Sequence, residues 1–283
     1  MLVQLDHVKK IYDDFALELN MQIPENCVTG LIGANGAGKS TAFKLMLGLI
    51  RPDYGTVNVL DRKASDLTVM EKEKIGTVFS DSGFSEYLTV QQVIHIMKNF
   101  YTDFNENLFQ KQCEKLEIPL KKQIKEFSTG MKAKLKVILA ISHDSKLLIL
   151  DEPTAGLDVI AREEILNLLR DYMDTPGRSI VISSHISGDL EHFCDDVYMI
   201  HNGKIVLHEE TDRILDEYGF IKVPEQEFAK LDKEYILRIK KENFGYSCLT
   251  DQKNYYLENY PGIVIEKGSV DEVITMMVKG ESI

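Results

Sequence analysis

The sequence predicts an α/β fold built on a parallel sheet covered on both faces, with a smaller α+β unit appended at the C-terminus. Three observations predict it. Cys27–Ile32, Lys146–Leu150 and Ser179–Ser183 are short, nearly continuous apolar runs, the pattern of strands buried on both sides. Helical patterns follow the first two runs, through Phe43, Leu45, Met46, Leu47 and Leu49 and then across Val159–Tyr172, so that strand, helix and strand alternate. Beyond about Tyr218 the texture changes to short strand-like segments and one closing helix.

Taken in order, Leu2–Val8 reads as a first strand and Ala16–Ile23 as a second, joined by a turn at Asp13-Asp14. The second run carries apolar residues at every other position, Leu17, Leu19, Met21 and Ile23. Pro52-Asp53-Tyr54-Gly55 is a turn. Thr89–Glu117 reads as one helical stretch with apolar positions Val90, Val93, Ile94, Ile96 and Met97, and later Leu108 and Cys113. Pro119, which has no N–H for the helical ladder, stops it. Tyr235–Ile239, Ser247–Thr250 and Gly262–Glu266 read as strands, and Ser269-Val270-Asp271-Glu272 fits a capping box opening a last helix that ends near Gly280.

A chain of 283 residues can hold one large domain or two modest ones. Asp and Glu number 45 against 33 Lys and Arg, a net charge of -12, which argues against nucleic-acid binding over the whole surface. Cys27, Cys113, Cys194 and Cys248 are far apart and form no CxxC, so reduced thiols are expected rather than a zinc or redox centre. An acid as early as Asp6 argues against a signal peptide. Apolar runs such as Val137–Ile141 fall well short of the roughly 20 residues needed to cross a bilayer.

Gly33-Ala34-Asn35-Gly36-Ala37-Gly38-Lys39-Ser40-Thr41 matches GxxxxGK[ST], with a buried strand before it and a helix after it. Glycines there let backbone N–H groups turn in around phosphate oxygens, and the helix that follows aims its positive end at them. Lys39 supplies a charge for the β- and γ-phosphates, and Ser40 a hydroxyl for magnesium. Leu147–Leu150 ends in Asp151-Glu152, which puts two carboxylates at the sheet edge where the glycine loop lies. Asp151 is expected in the magnesium shell, and Glu152 as the group that orients or deprotonates the attacking water. His185 follows the strand at Ser179–Ser184, at the same edge, where it can contact the γ-phosphate and the water. Lys39, Glu152 and His185 are therefore the expected catalytic set.

Phe127-Ser128-Thr129-Gly130-Met131 resembles the LSGGQ signature of ABC-transporter ATPases, and Glu152-Pro153-Thr154-Ala155-Gly156-Leu157-Asp158 resembles that family's strand-end glutamate and D-loop. The order of motifs covers about residues 1–217. The resemblance implies a P-loop ABC-ATPase fold, with a parallel-sheet core, an antiparallel β subdomain and a helical subdomain at about 85–140. Residues 218–283 would form an accessory extension. It further implies ATP and Mg2+ as cofactors and a head-to-tail dimer, homo- or heterodimeric, with two ATP molecules at its interface. Each ATP would lie between Lys39 of one protomer and Ser128 and Gly130 of the other, with Thr129 and Asp158 in the same binding set. Tyr12 resembles the family's adenine-stacking aromatic; a strand-edge tyrosine packed in the core is the other reading.

Two positions depart from the family pattern. Ser80 stands where a Q-loop glutamine is usual, and is taken as a metal-shell candidate beside Ser40 and Asp151, with Asp81 as the alternative. Ser128-Thr129-Gly130-Met131-Lys132 looks like the SxGMK variant of ABC-2-type exporter ATPases, including Gram-positive exporters of peptides, antibiotics or surface polymers. The expected function is thus the ATP-hydrolysing subunit of a bacterial exporter. It would sit at the cytoplasmic side of the membrane and dock a separate transmembrane permease near Ser80–Tyr87, with no nucleic acid as partner. The rival is a soluble ABC ATPase acting on nucleic acid or ribosomes. Against it stand the acidic balance, the single cassette, and the lack of a long coiled coil between Lys39 and Asp151.

Overall fold

The structure is a computed structural model that describes residues 1–79, 83–184 and 188–283. It opens with a hairpin, β1 (Val3–Tyr12) and β2 (Phe15–Ile23), paired antiparallel from Val3↔Ile23 to Tyr12↔Phe15. Alternation along β2 buries Leu17, Leu19, Met21 and Ile23 on one face. β3 (Val28–Ile32) is buried along its whole length and leads through the glycine loop into α1 (Lys39–Met46). β4 (Tyr54–Val59), β5 (Arg62–Lys63), α2 (Val69–Lys72) and β6 (Ile75–Val78) follow.

The stretch expected as one helix over Thr89–Glu117 is two helices, α3 (Val90–Phe100) and α4 (Glu106–Lys115). Tyr101 leaves α3 with extended backbone, and Asn105 starts α4 by accepting a hydrogen bond from the Leu108 N–H at 2.9 Å. Asparagine competes for backbone donors, so it caps a helix better than it continues one. The Asn105 N–H is itself tied to the Ser142 carbonyl at 2.7 Å.

α5 (Thr129–Ile141), β7 (Leu147–Asp151), α6 (Val159–Met173) and β8 (Ser179–Ser184) come next. After them run α7 (Gly188–Glu191), β9 (Asp196–His201), β10 (Lys204–Glu210) and α8 (Thr211–Glu217). Among the described residues ten strands form one sheet, ordered β5-β4-β1-β2-β10-β9-β3-β8-β7-β6. β9, β3, β8, β7 and β6 are mutually parallel, and β1, β2 and β4 form an antiparallel wing. The parallel strands are covered on both sides. Leu147 and Ile149 join one core with Phe43, Leu45 and Met46 of α1, while Leu148 and Leu150 join another with Leu135 and Ile138 of α5 and Ile165 of α6.

A second, antiparallel sheet is ordered β12-β13-β11-β14. It comprises β11 (Gly219–Val223), β12 (Ile236–Glu242), β13 (Gly245–Thr250) and β14 (Val264–Lys267), interleaved with α9 (Glu225–Phe228) and α10 (Lys253–Asn259) and closed by α11 (Val270–Lys279). Ser269 and Glu272 form the capping box of α11. β11 has no counterpart among the strands expected from sequence; its short run carries Lys222 and is ended by Pro224. One face of this sheet, through Phe220 and Leu249, joins the core of the large sheet; Ile221, Val223 and Cys248 on the other face pack with Tyr256 of α10.

Candidate functional site

β3, β7 and β8 run parallel and end at the same edge, and the site is built on that edge. Backbone geometry requires glycine at two loop positions. Gly38 takes φ 117 at the start of α1, and a Cβ there would lie 2.5 Å from Leu17 Cδ1. A Cβ on Gly33 would lie 2.5 Å from the Ile200 carbonyl oxygen. The loop can thus fold tightly against the sheet and present the first turn of α1 to the cavity.

Lys39 is only 6% exposed. Its Nζ donates to the Gly33 carbonyl at 2.6 Å and pairs with Glu152 Oε1 at 3.2 Å. Ser40 Oγ donates to Asp151 Oδ2 at 2.6 Å. The other carboxylate oxygen, Asp151 Oδ1, accepts from Ser183 Oγ at 2.7 Å, and the same Ser183 oxygen accepts the Glu152 N–H at 3.0 Å. Glu152 holds φ 53, the left-handed region that a non-glycine residue enters only when its surroundings fix it. Sequence reasoning did not single out Ser183. The available signal was the pair of strand ends, since Asp151 and Ser183 are direct register partners.

Lys39, Ser40, Asp151 and Glu152 line a cavity of about 430 Å³ together with Tyr12, Phe15, Ala34, Asn35, Gly36, Gly38 and Thr41. Tyr12 is 44% exposed, so it stands at the rim and not in the core, 6.3 Å from Phe15 between ring centroids. Phe15 is a second aromatic at this rim that the sequence did not mark.

Ser128, Gly130 and Asp158 lie elsewhere. Ser128 caps α5, its hydroxyl accepting the Met131 N–H at 3.2 Å, and Asp158 caps α6, accepting the Ala161 N–H at 2.8 Å. Both border a separate groove of about 460 Å³ with Thr129, Gly130 and Gly156. Thr129 also reaches a cleft shared with Asp151 and Glu152. Val159 and Ile160, beside Asp158, are about three-quarters exposed. Ser80, Asp81 and His185 lie outside the described residues.

Burial pushes the thiols of Cys27, Cys113 and Cys248 up to about 12, and that of Cys194 well above its ordinary value, so these buried cysteines stay protonated and poorly nucleophilic. Among the described residues no three His, Cys, Asp or Glu side chains form a metal cage, and no helix is long and apolar enough to cross a membrane.

A family model described as "ABC transporter" matches residues 17–155. The chain is 32% identical over 215 residues to the lantibiotic transport ATP-binding protein SrtF of Streptococcus pyogenes, covering 75% of this chain and 92% of that protein. It is 31% identical over 209 residues to the bacitracin transport ATP-binding protein BcrA of Enterococcus faecalis, covering 72% and 68%. A solved structure described as the ATP binding subunit of an ABC transporter superposes with a TM-score of 0.68 at 26% identity, over 76% of this chain and 92% of that one.

Proposed function

Because this chain belongs to the ABC transporter ATP-binding family, we propose that it is the ATP-hydrolysing subunit of a bacterial exporter, driving a separate membrane protein by ATP-dependent head-to-tail dimerisation. The convergence of Lys39, Ser40, Asp151 and Glu152 on one cavity carries this reading. The lantibiotic and bacitracin relatives are transport ATP-binding proteins by name, and the Ser128–Lys132 variant supports the exporter direction.

Lys39 holds the β- and γ-phosphates, with the amides of the glycine loop around them. In this structure the Glu152 carboxylate is engaged by the Lys39 ammonium at 3.2 Å. An incoming γ-phosphate competes for the ammonium and releases Glu152 to orient the attacking water. The oxygen-only pair of Ser40 hydroxyl and Asp151 carboxylate, 2.6 Å apart, suits magnesium, which prefers few protein ligands and completes its shell with phosphate and water. When bound, magnesium neutralises charge on the β- and γ-phosphate oxygens.

The groove at Ser128, Gly130 and Asp158 is separate from the Lys39 cavity within one chain, so we assign it to the nucleotide of a second copy or a near-copy. The exposed Val159 and Ile160 beside it gain burial in such a dimer. We read residues 1–217 as the nucleotide-binding unit, with its helical part at about 85–140, and 218–283 as an accessory unit. The surface near Ser80–Tyr87 is assigned to the membrane subunit at the cytoplasmic side of the membrane, and His185 to the γ-phosphate.

The test is Glu152→Gln. ATP affinity stays near wild type, hydrolysis falls by roughly 10²–10⁴-fold, the range for loss of a positioned proton acceptor, and an ATP-dependent dimer accumulates on size exclusion. Wild-type turnover by this variant would remove Glu152 from its role.

A further inference from the structure

We infer that Ser183 is a positioning residue for the two acids of the site: its hydroxyl fixes the orientation of the Asp151 carboxylate and the backbone of Glu152, and so sets how tightly the site takes magnesium with ATP. The inference rests on the magnesium–ATP reading of Asp151 given above.

Ser183 is fully buried in β8, between Asp151 of β7 and Leu31 of β3 in register. A strand buried on both sides has no need of a hydroxyl, and an apolar residue would pack there without a polar group to satisfy. The serine at this position has both its hydrogen-bonding capacities in use. It donates to Asp151 Oδ1 at 2.7 Å and accepts from the Glu152 N–H at 3.0 Å. Asp151 is therefore held at both oxygens, by Ser183 on one side and Ser40 on the other.

The two hydroxyls are not equivalent. Ser40 belongs to the phosphate loop and is committed to the metal when nucleotide arrives, whereas Ser183 lies on the sheet behind Asp151. It is the hydroxyl placed to stay on Asp151 Oδ1 and leave Oδ2 pointing at the ligand. The second bond addresses a different problem. Glu152 sits in the left-handed region at φ 53, and its N–H at that bend is satisfied by Ser183. One buried hydroxyl thus aims the first acid and pins the bend that aims the second. Partners that orient metal-binding side chains typically contribute 10–100-fold in metal affinity or activity.

The test uses the full-length chain and three variants, Ser183→Ala, Ser183→Thr and Ser179→Ala. Ser179 lies on the same strand, is equally buried, and bonds the Pro24 carbonyl at 2.9 Å away from the site, so it reports what loss of a buried strand hydroxyl does to stability alone. The readout is the magnesium concentration that half-saturates the thermal stabilisation given by a non-hydrolysable ATP analogue. ATPase kcat is measured beside it. For Ser183→Ala the half-saturating magnesium rises about 10-fold or more and kcat falls. Analogue binding in chelator stays at the wild-type level, and Ser183→Thr, which keeps the hydroxyl, recovers the magnesium dependence.

Should the threonine methyl prevent folding, the comparison of Ser183→Ala with Ser179→Ala still decides the matter. A Ser183→Ala variant that melts lower, like Ser179→Ala, but keeps the wild-type magnesium dependence and kcat overturns the inference. A wild-type chain showing no magnesium-dependent stabilisation would instead overturn the magnesium–ATP reading itself.

Discussion

Around Asp151, polar groups from α1, β7 and β8 meet within hydrogen-bond distance, each satisfied by a named partner. The C-terminal unit reaches the same large sheet by other means. Tyr218, Phe220 and Leu249 and, from α11, Val270, Val273 and Met276 join Leu190 and Ile214 in one apolar cluster. Its polar ties to the larger unit include the Val270 N–H bonding Glu191 Oε1 at 2.5 Å and an Arg213–Asp251 pair at 3.8 Å. Hydrophobic contact is non-directional and spread over area, while the proposed phosphate site depends on a few atoms at fixed distances. The docked unit should therefore fail by losing stability, and the site by losing function.

Leu249→Ala gives the largest expected change in free energy. Leu249 is fully buried where the two sheets share a core, so truncation lowers stability by about 2–5 kcal/mol. Denaturant or thermal unfolding measures the loss, and ATP affinity at a temperature where the variant is folded is expected to be unchanged. A drop in ATP affinity comparable to the drop in stability would break the comparison, because the apolar dock would then be transmitting to the phosphate loop.

Lys39→Ala is the reverse experiment and the next in size. A hydrogen bond to a charged group contributes about 1.5–3 kcal/mol, so ATP binding should weaken by roughly 10–100-fold by titration calorimetry. The melting temperature should move much less than in Leu249→Ala. Unchanged ATP affinity would mean that the glycine loop is not the phosphate site.

The same contrast explains what could be read in the sequence. The glycine loop proposed to hold phosphate was legible because that ligand chemistry dictates a contiguous run of residues, Gly33 to Thr41, and the strand before it and helix after it lie within the same window. The acids were legible because Asp151-Glu152 closes an apolar run. Ser183 was hidden, since its role comes from strand register with Asp151, a pairing that depends on chain far away in sequence. Phe15 was hidden because only the hairpin turn brings it beside Tyr12. The break between α3 and α4 was masked by apolar spacing that ran across it, although Asn105 was present as a cap. β11 was hidden because Lys222 interrupts an already short apolar run that Pro224 then ends.

The smallest expected effect sharpens the comparison at the polar fringe of the dock. Three carboxylates gather at the N-terminus of α11. Glu272 accepts the Ser269 N–H at 2.9 Å and Glu191 accepts the Val270 N–H at 2.5 Å, while Asp271 lies beside both. Partial desolvation first, then the charges of Glu191 and Glu272, hold the exposed Asp271 carboxyl above the usual range. A group whose pKa is raised by folding binds its proton more tightly in the native chain, so its contribution to stability is best below that pKa and declines as pH rises through it. Asp271→Asn removes the charge, and should raise the melting temperature slightly at neutral pH. The difference from wild type should close as pH falls through the carboxylate range. Opposing this, an anion at a helix N-terminus is worth about 0.3–1 kcal/mol, which keeps the net gain small. A variant that melts lower than wild type at neutral pH would show that the helix dipole outweighs the crowding of the three acids, and that this end of the dock is held by charge as well as by apolar contact.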